Sequence, residues 1–459
     1  MKNVLVLITM MGLMMCSCIK TGNPFFTEWD TPFGVPPFEQ IKEKNFMPAY
    51  TEGMKLEQRE ILTIADNPDT PTFNNTIEAM EKSGKLLTKV DYIFNIYSSA
   101  LTNETVQKIA KDVSPLLSKH YDDIILNEKL FERIKVVYEQ KDKLNLNSEQ
   151  NMLLEKYYKD FVRGGANLTA EQKEELRNIN KELSVLSLKF GDNVLKENNT
   201  FKLFIDTKND LAGLPEDVIN AAAEAAKEQD EEGKWLFTLH KPSLIPFLQY
   251  SEKRELREKM FKAYINRGNN NDENDNKEIL VKMAALRVKR AQLLGYKTHA
   301  GFILEKNMAQ NPRRVYDFLN KLCDPALQRA KDEAKELQSM IDEEGKDFKL
   351  EAWDWWYYAE KLKKAKYELD DEILRPYFKL ENVRDGAFSV AGKLYGITFE
   401  QVRDIPVYHP DVTVFEVKEA DGTHIGLLYT DYFPRQSKRG GAWMSSIRKQ
   451  SNLEEKVTP

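Results

Sequence analysis

The residues able to do chemistry are few enough to take one at a time. The five histidines are His120, His240, His299, His409 and His424. Two imidazoles reach one metal ion from a helix when they stand four residues apart, with a glutamate between them to act on bound water, as in His-Glu-x-x-His. None of the five is followed by Glu, and none has a second His four residues on. His409-Pro410-Asp411 offers two potential ligands, but Pro410 suits a turn into a strand and a structural role is expected. Cys323 stands among Leu319, Leu322 and Leu327 and reads as a buried small hydrophobe rather than a nucleophile. Gly-x-Ser-x-Gly, the phosphate loop and the dinucleotide fingerprint are absent. Carboxylates are abundant on solvated helix faces, so no acid–base pair stands out. No catalytic and no metal-ligating residue is assigned. What remains is a basic cluster, Arg435, Lys438 and Arg439, followed by Gly440-Gly441-Ala442-Trp443. Paired glycines beside a Trp suggest backbone that something approaches closely. Gly440, Gly441, Ala442 and Trp443 are the candidate contacts for such an approach, with a plain structural turn as the favoured reading.

The element that must carry this segment is a hairpin. Val412, Val414 and Glu416 alternate with Thr413, Phe415 and Val417, and Ile425, Leu427 and Tyr429 alternate after Asp421-Gly422. Alternation on both sides of an Asp-Gly pair predicts two antiparallel strands over 412–430. Almost everything before it is helical in pattern. Ile77, Met80, Leu87, Val90, Phe94 and Tyr97 make one stripe, with Gly84 in the missing slot. Gly164-Gly165 stops a helix, and Thr169 to Gln172 reads as a capping box opening a long two-faced helix. Short strands are expected at 201–205 and 235–239. The Asn- and Asp-rich stretch at 269–276 reads as a solvated loop with a helix cap at Asn276, not as a calcium loop. Residues 311–345 read as a helical pair broken at Pro325. The aromatic run at 353–358 reads as packing under a helix start.

The chain has 459 residues, 41% hydrophobic and 31% charged, with a net charge of -6. That is ordinary for a helical protein of two or three domains, and the charge disfavours nucleic acid as a partner. Lys2 and the apolar run at 4–15 form an export signal, too short to span a bilayer. Ser17-Cys18 after that run resembles a lipoprotein cleavage site, so Cys18 is the expected lipidated residue; an ordinary cleaved signal is the alternative. The expected organisation is a signal at 1–18, a helical region at 19–235 and a second region at 236–459. The expected location is outside the cytoplasm, periplasmic or membrane-anchored by lipid.

Several stretches resemble the thimet oligopeptidase family of zinc metallopeptidases, in particular its peptidyl-dipeptidase branch. They are Pro71-Thr72-Phe73-Asn74-Asn75-Thr76-Ile77-Glu78, Tyr157 through Ala166, Trp353 through Tyr358, Arg375-Pro376-Tyr377-Phe378, Tyr408 through Val412, and Lys438-Arg439-Gly440-Gly441-Ala442-Trp443-Met444. The resemblance implies a mainly α scaffold of two lobes around a channel, with a small sheet near the C-terminus. It implies short peptides as substrates, dipeptide release from a free C-terminus, and zinc held by a His-Glu-x-x-His helix and a later Glu. In the family that helix follows the Gly-Gly-Ala-Trp stretch, so this chain is expected to stop short of it. The resulting expectations are a peptidase scaffold inactive by itself, paired with a separate catalytic piece, with no zinc bound to this chain alone. The alternatives are a non-catalytic peptide-binding lipoprotein and the product of a decayed gene, with exposed apolar patches.

Overall fold

The computed structural model describes residues 22–369 and 371–453. Cys16 and Cys18 lie outside them. The fold is mainly helical, with a three-stranded antiparallel sheet near the C-terminus. Two compact units are formed, one from 1–185 with 387–459 and the other from 186–386. The position near 235, read as a boundary in the sequence, falls inside the second unit. Among the described residues no helix is long and apolar enough to cross a membrane.

The first unit begins with α1 (Phe46–Ala65), α2 (Lys85–Ala100), α3 (Glu104–Ile125), α4 (Glu128–Glu139) and α5 (Ser148–Arg163). Their apolar faces meet in a core that includes Ile61, Ile77, Leu130, Ile134, Leu154 and Phe161. Each such buried side chain contributes roughly 1.5–3 kcal/mol of transfer free energy. The stripe expected to run unbroken from Ile77 to Tyr97 is interrupted. Phe73–Glu78 is a wide helical turn, and α2 starts only after Gly84, whose φ is 70°. The Gly84 amide is taken up by Glu60 at 2.8 Å, and an added Cβ there would lie 2.4 Å from the Glu57 carboxylate. Gly84 is therefore a left-handed break, and α1 approaches it closely, as the slot in the stripe suggested.

Helix α6 (Ala170–Thr200) opens with the expected box, Thr169 and Gln172 exchanging backbone bonds at 3.3 and 3.1 Å. Its first half buries Leu176, Ile179 and Leu183. In its second half, within the second unit, Asp192, Asn193 and Glu197 are buried instead. The loop at 268–276 docks there. Glu197 accepts from the Gly268 amide and from Asn270, both at 2.9 Å, and Asn193 donates to Asn276 at 2.9 Å. Residues 269–273 are exposed, as expected of a solvated loop, while Asn274 and Asn276 are buried; Asn276 stands at the N-cap of the following helix as expected, but its side chain bonds α6 and not the helix.

The rest of the second unit pairs β1 (Leu203–Ile205) with β2 (Trp235–Phe237), antiparallel, with α7 (Glu216–Lys227) between them. Helices α8 (Lys241–Tyr250), α9 (Arg254–Ile265), α10 (Lys277–Leu293) and α11 (His299–Leu304) follow. Then α12 runs as one helix from Pro312 to Glu343, straight through Pro325, in place of the expected broken pair. Pro325 leaves the Lys321 carbonyl without its helical donor, but Lys321 is exposed and water can serve it. Cys323, expected to be buried, is exposed on this helix. Helix α13 (Trp355–Tyr367) is seated by Asp354, which is fully buried and accepts from Arg254 at 2.8–3.1 Å and from Arg257 at 2.8 Å. The neighbouring aromatics pack as expected, the Arg257 guanidinium lying 4.2 Å from the Tyr357 ring centre.

Helix α14 (Leu380–Tyr395) leads to β3 (Thr398–Val402), β4 (Thr413–Lys418) and β5 (His424–Thr430). The hairpin register pairs Thr413 with Thr430 and Lys418 with His424 around Asp421-Gly422. Strand β3 was not expected; it adds to the outer edge of β4. Val414 and Phe415, adjacent and therefore on opposite faces, are both buried. Val414 joins Val35 and Ile405, and the Phe415 ring meets Phe388 edge-on at 5.0 Å, so both faces of the sheet are covered there.

Candidate functional site

Strand β5 ends at Thr430, and the next residue anchors the segment that follows. Asp431 is nearly buried and accepts four hydrogen bonds: Arg435 Nη1 and Nη2 at 2.9 and 2.7 Å, Lys438 Nζ at 3.0 Å and the Tyr408 hydroxyl at 3.1 Å. Lys438 also donates to the carbonyls of Asp431 and Phe433, at 2.7 and 3.1 Å. Burial pushes the Asp431 carboxyl up, but the hydrogen bonds and charges of Arg435 and Lys438 outweigh it and hold it at about 2. Burial, together with the Asp431 charge, pushes the Tyr408 phenol well above its usual range. A carboxylate so placed stays ionised and cannot serve as a proton donor near neutrality.

This knot fastens the segment to the end of α2. The last carbonyls of a helix lack intrahelical donors and carry partial negative charge. Arg435 Nε and Ser437 Oγ donate to the Ala100 carbonyl at 3.0 and 3.1 Å. The Arg439 amide donates to the Ser99 carbonyl at 2.8 Å, and the Thr102 amide donates to the Ser437 carbonyl at 3.0 Å. The next four residues stand clear, before Arg448 ties the chain down again by donating to the Phe33 and Gly34 carbonyls at 3.1 and 3.4 Å. Gly440, Gly441, Ala442 and Trp443 are exposed, and a Cβ added at either glycine would meet nothing within 4 Å. Gly441 has φ 114°, which a residue with a side chain rarely adopts. The Lys438 ammonium lies 6.0 Å from the Trp443 ring centre. The four residues singled out in the sequence thus form one open ledge. Of the groups that hold it, Arg435 and Lys438 were named only as a basic cluster and Tyr408 only within a matching stretch, and Asp431 was not singled out; the spacing of an acid with bases four and seven residues on was the available signal.

The histidines have separate local duties. His120 pairs with Glu57 at 2.7 Å in the first unit, and His424 pairs with Glu416 at 2.9 Å while stacking on Phe33. His409 accepts from the Asp411 amide at 3.2 Å in the turn before β4. His240 precedes α8, its imidazole pushed down by burial, and His299 begins α11, lowered by burial and by Arg290 and Arg287. Among the described residues no three His, Cys, Asp or Glu side chains are grouped to hold a metal ion. The ledge offers main-chain donors and acceptors, a stacking surface and a cation, which suits an extended peptide and supplies no nucleophile.

Peptidase family M3 matches residues 247–458. The dipeptidyl carboxypeptidase of Escherichia coli (strain K12) is 38% identical over 436 residues, covering 95% of this chain and 64% of that protein. The dipeptidyl carboxypeptidase of Salmonella typhimurium is 37% identical, covering 94% of this chain and 64% of its own length. Oligopeptidase A of Escherichia coli is 30% identical over 418 residues, 90% of this chain and 61% of that protein. The chain therefore spans less than two thirds of the length of these relatives.

Proposed function

This chain belongs to peptidase family M3, and from that premise we propose that it is the peptide-holding part of an oligopeptide hydrolase of the peptidyl-dipeptidase kind. The observation that carries the reading is the exposed ledge at 440–443, open around both of its glycines and fastened through Asp431. An extended peptide laid along it would find free amides and carbonyls, with Trp443 as an apolar stop. The family implies zinc, but the residues present do not fit it: the 459 residues contain no His-Glu-x-x-His, and no donor group is assembled among those described. No hydrolytic step is derived from them. For this polypeptide by itself the proposal is peptide binding without cleavage. The proposed location is outside the cytoplasm, anchored through Cys18.

The test is a fluorescence titration of the purified chain with a short dye-labelled peptide, beside an assay for dipeptide release with added zinc. Saturable binding that weakens about tenfold in Trp443→Ala, and recovers in Trp443→Phe, supports the reading; a loss of that size corresponds to about 1.4 kcal/mol. Binding unchanged by Trp443→Ala removes the ledge from it. Chelator-sensitive release of dipeptides by the chain alone overturns the claim of binding without cleavage.

A further inference from the structure

Helix α12 has a face that changes from buried to bare along its length. Near its C-terminal end Leu337 and Ile341 are fully buried, packed against Tyr357 and Tyr358 of α13. Leu319 stands eighteen residues before Leu337, and Cys323 eighteen before Ile341. Eighteen residues is about five turns at 3.6 residues per turn, so each pair shares one helical face. Yet Leu319 and Leu322 are 50% exposed and Phe318 is 63% exposed, with Tyr316, Leu327 and Cys323 exposed beside them. Arg313 and Asp317 lie on the other side, whereas Arg329 and Glu333, seven and eleven residues after Leu322, fall in line with the stripe and separate its bare part from its packed part. The first turns of α12 thus carry an apolar face of their own, which the described chain leaves uncovered, and its last turns carry a second one, which α13 covers.

Single exposed hydrophobics need no explanation, but a continuous stripe of six side chains marks an interface. The relatives extend for more than a third of their own length beyond what this chain matches. We propose that the bare face of α12, centred on Leu319, Leu322 and Cys323, is the seat of polypeptide equivalent to that unmatched part of the relatives. The occupant presents an apolar helical face of its own, since a stripe at helical spacing is filled by ridges of like spacing. This inference rests on the family membership and not on the peptide ledge, so its test is read at a different place.

Cys323 supplies the readout, because it lies within the stripe and is accessible. The full chain is expressed alone and together with the unmatched portion of the Escherichia coli dipeptidyl carboxypeptidase. Maleimide labelling is followed by mass spectrometry at the peptide that carries Cys323. The expected result is a co-purifying one-to-one complex in which Cys323 labels at least tenfold more slowly than in the chain alone. Leu322→Glu, on an exposed position that leaves the fold intact, is expected to prevent the complex and restore rapid labelling. No complex, or a complex in which Cys323 labels as fast as before, overturns the proposal. So does slow labelling in the chain alone accompanied by a dimeric mass, which would assign the face to a second copy.

Discussion

At the scale of single residues, two carboxylates organise their surroundings by opposite routes. Asp354 is fully buried and collects Arg254 and Arg257, the latter itself buried, together with the Glu351 amide at 3.1 Å. Removing its charge strands a buried guanidinium, so Asp354→Asn is expected to destabilise the chain by about 3–5 kcal/mol in urea unfolding. Asp431 acts locally. Its carboxyl is held at about 2, below the roughly 3.9 of an unfolded chain, so the folded state binds the proton less readily. Its stabilisation is complete above about pH 4 and is lost as the pH falls through about 2. At neutral pH Asp431→Asn should mimic that loss. The Arg439 amide, bonded to Ser99, is expected to exchange about tenfold faster in the variant, read by hydrogen-exchange mass spectrometry. The bases around Asp431 were legible as a cluster, though not their acid, and the Asp354 cluster was not legible at all. Arg254 and Asp354 are a hundred residues apart, and nothing in a local pattern joins them.

Elements were more legible where one period dominated. The hairpin over 413–430 follows from a period of two around Asp421-Gly422, and the start of α6 follows from its capping box. Strand β3 was missed because its residues are largely exposed and its pairing, Thr398 with Lys418 through Val402 with Val414, depends on a partner supplied by the fold. The break at Gly84 was missed for a related reason: apolar spacing continues across it, and only backbone geometry reveals the left-handed residue. Helix α12 shows the limit of pattern reading most directly, since its stripe predicts burial and Cys323 is exposed. The two ends of that stripe should respond differently to the same substitution. Leu337→Ala is expected to cost about 2–5 kcal/mol, as for a filled core position. Leu319→Ala, five turns away on the same face, is expected to change stability by no more than about 0.5 kcal/mol, both by urea unfolding of the chain alone.

For the whole molecule, the division into two compact units, each with its own apolar clusters, governs how it comes apart. Calorimetry is expected to give a measured unfolding enthalpy larger than the van 't Hoff value, because two units need not melt in one step. The same division bears on the order in which the protein is made. The second unit is one uninterrupted stretch, 186–386, and can settle as soon as it leaves the ribosome. The first unit cannot. Its end of α2 waits for Arg435, which reaches the Ala100 carbonyl across 335 residues of sequence. A nascent chain paused shortly after residue 400 would therefore carry a finished middle and an unfinished beginning, its Ser99 and Ala100 carbonyls served by water until residues 435–439 close over them.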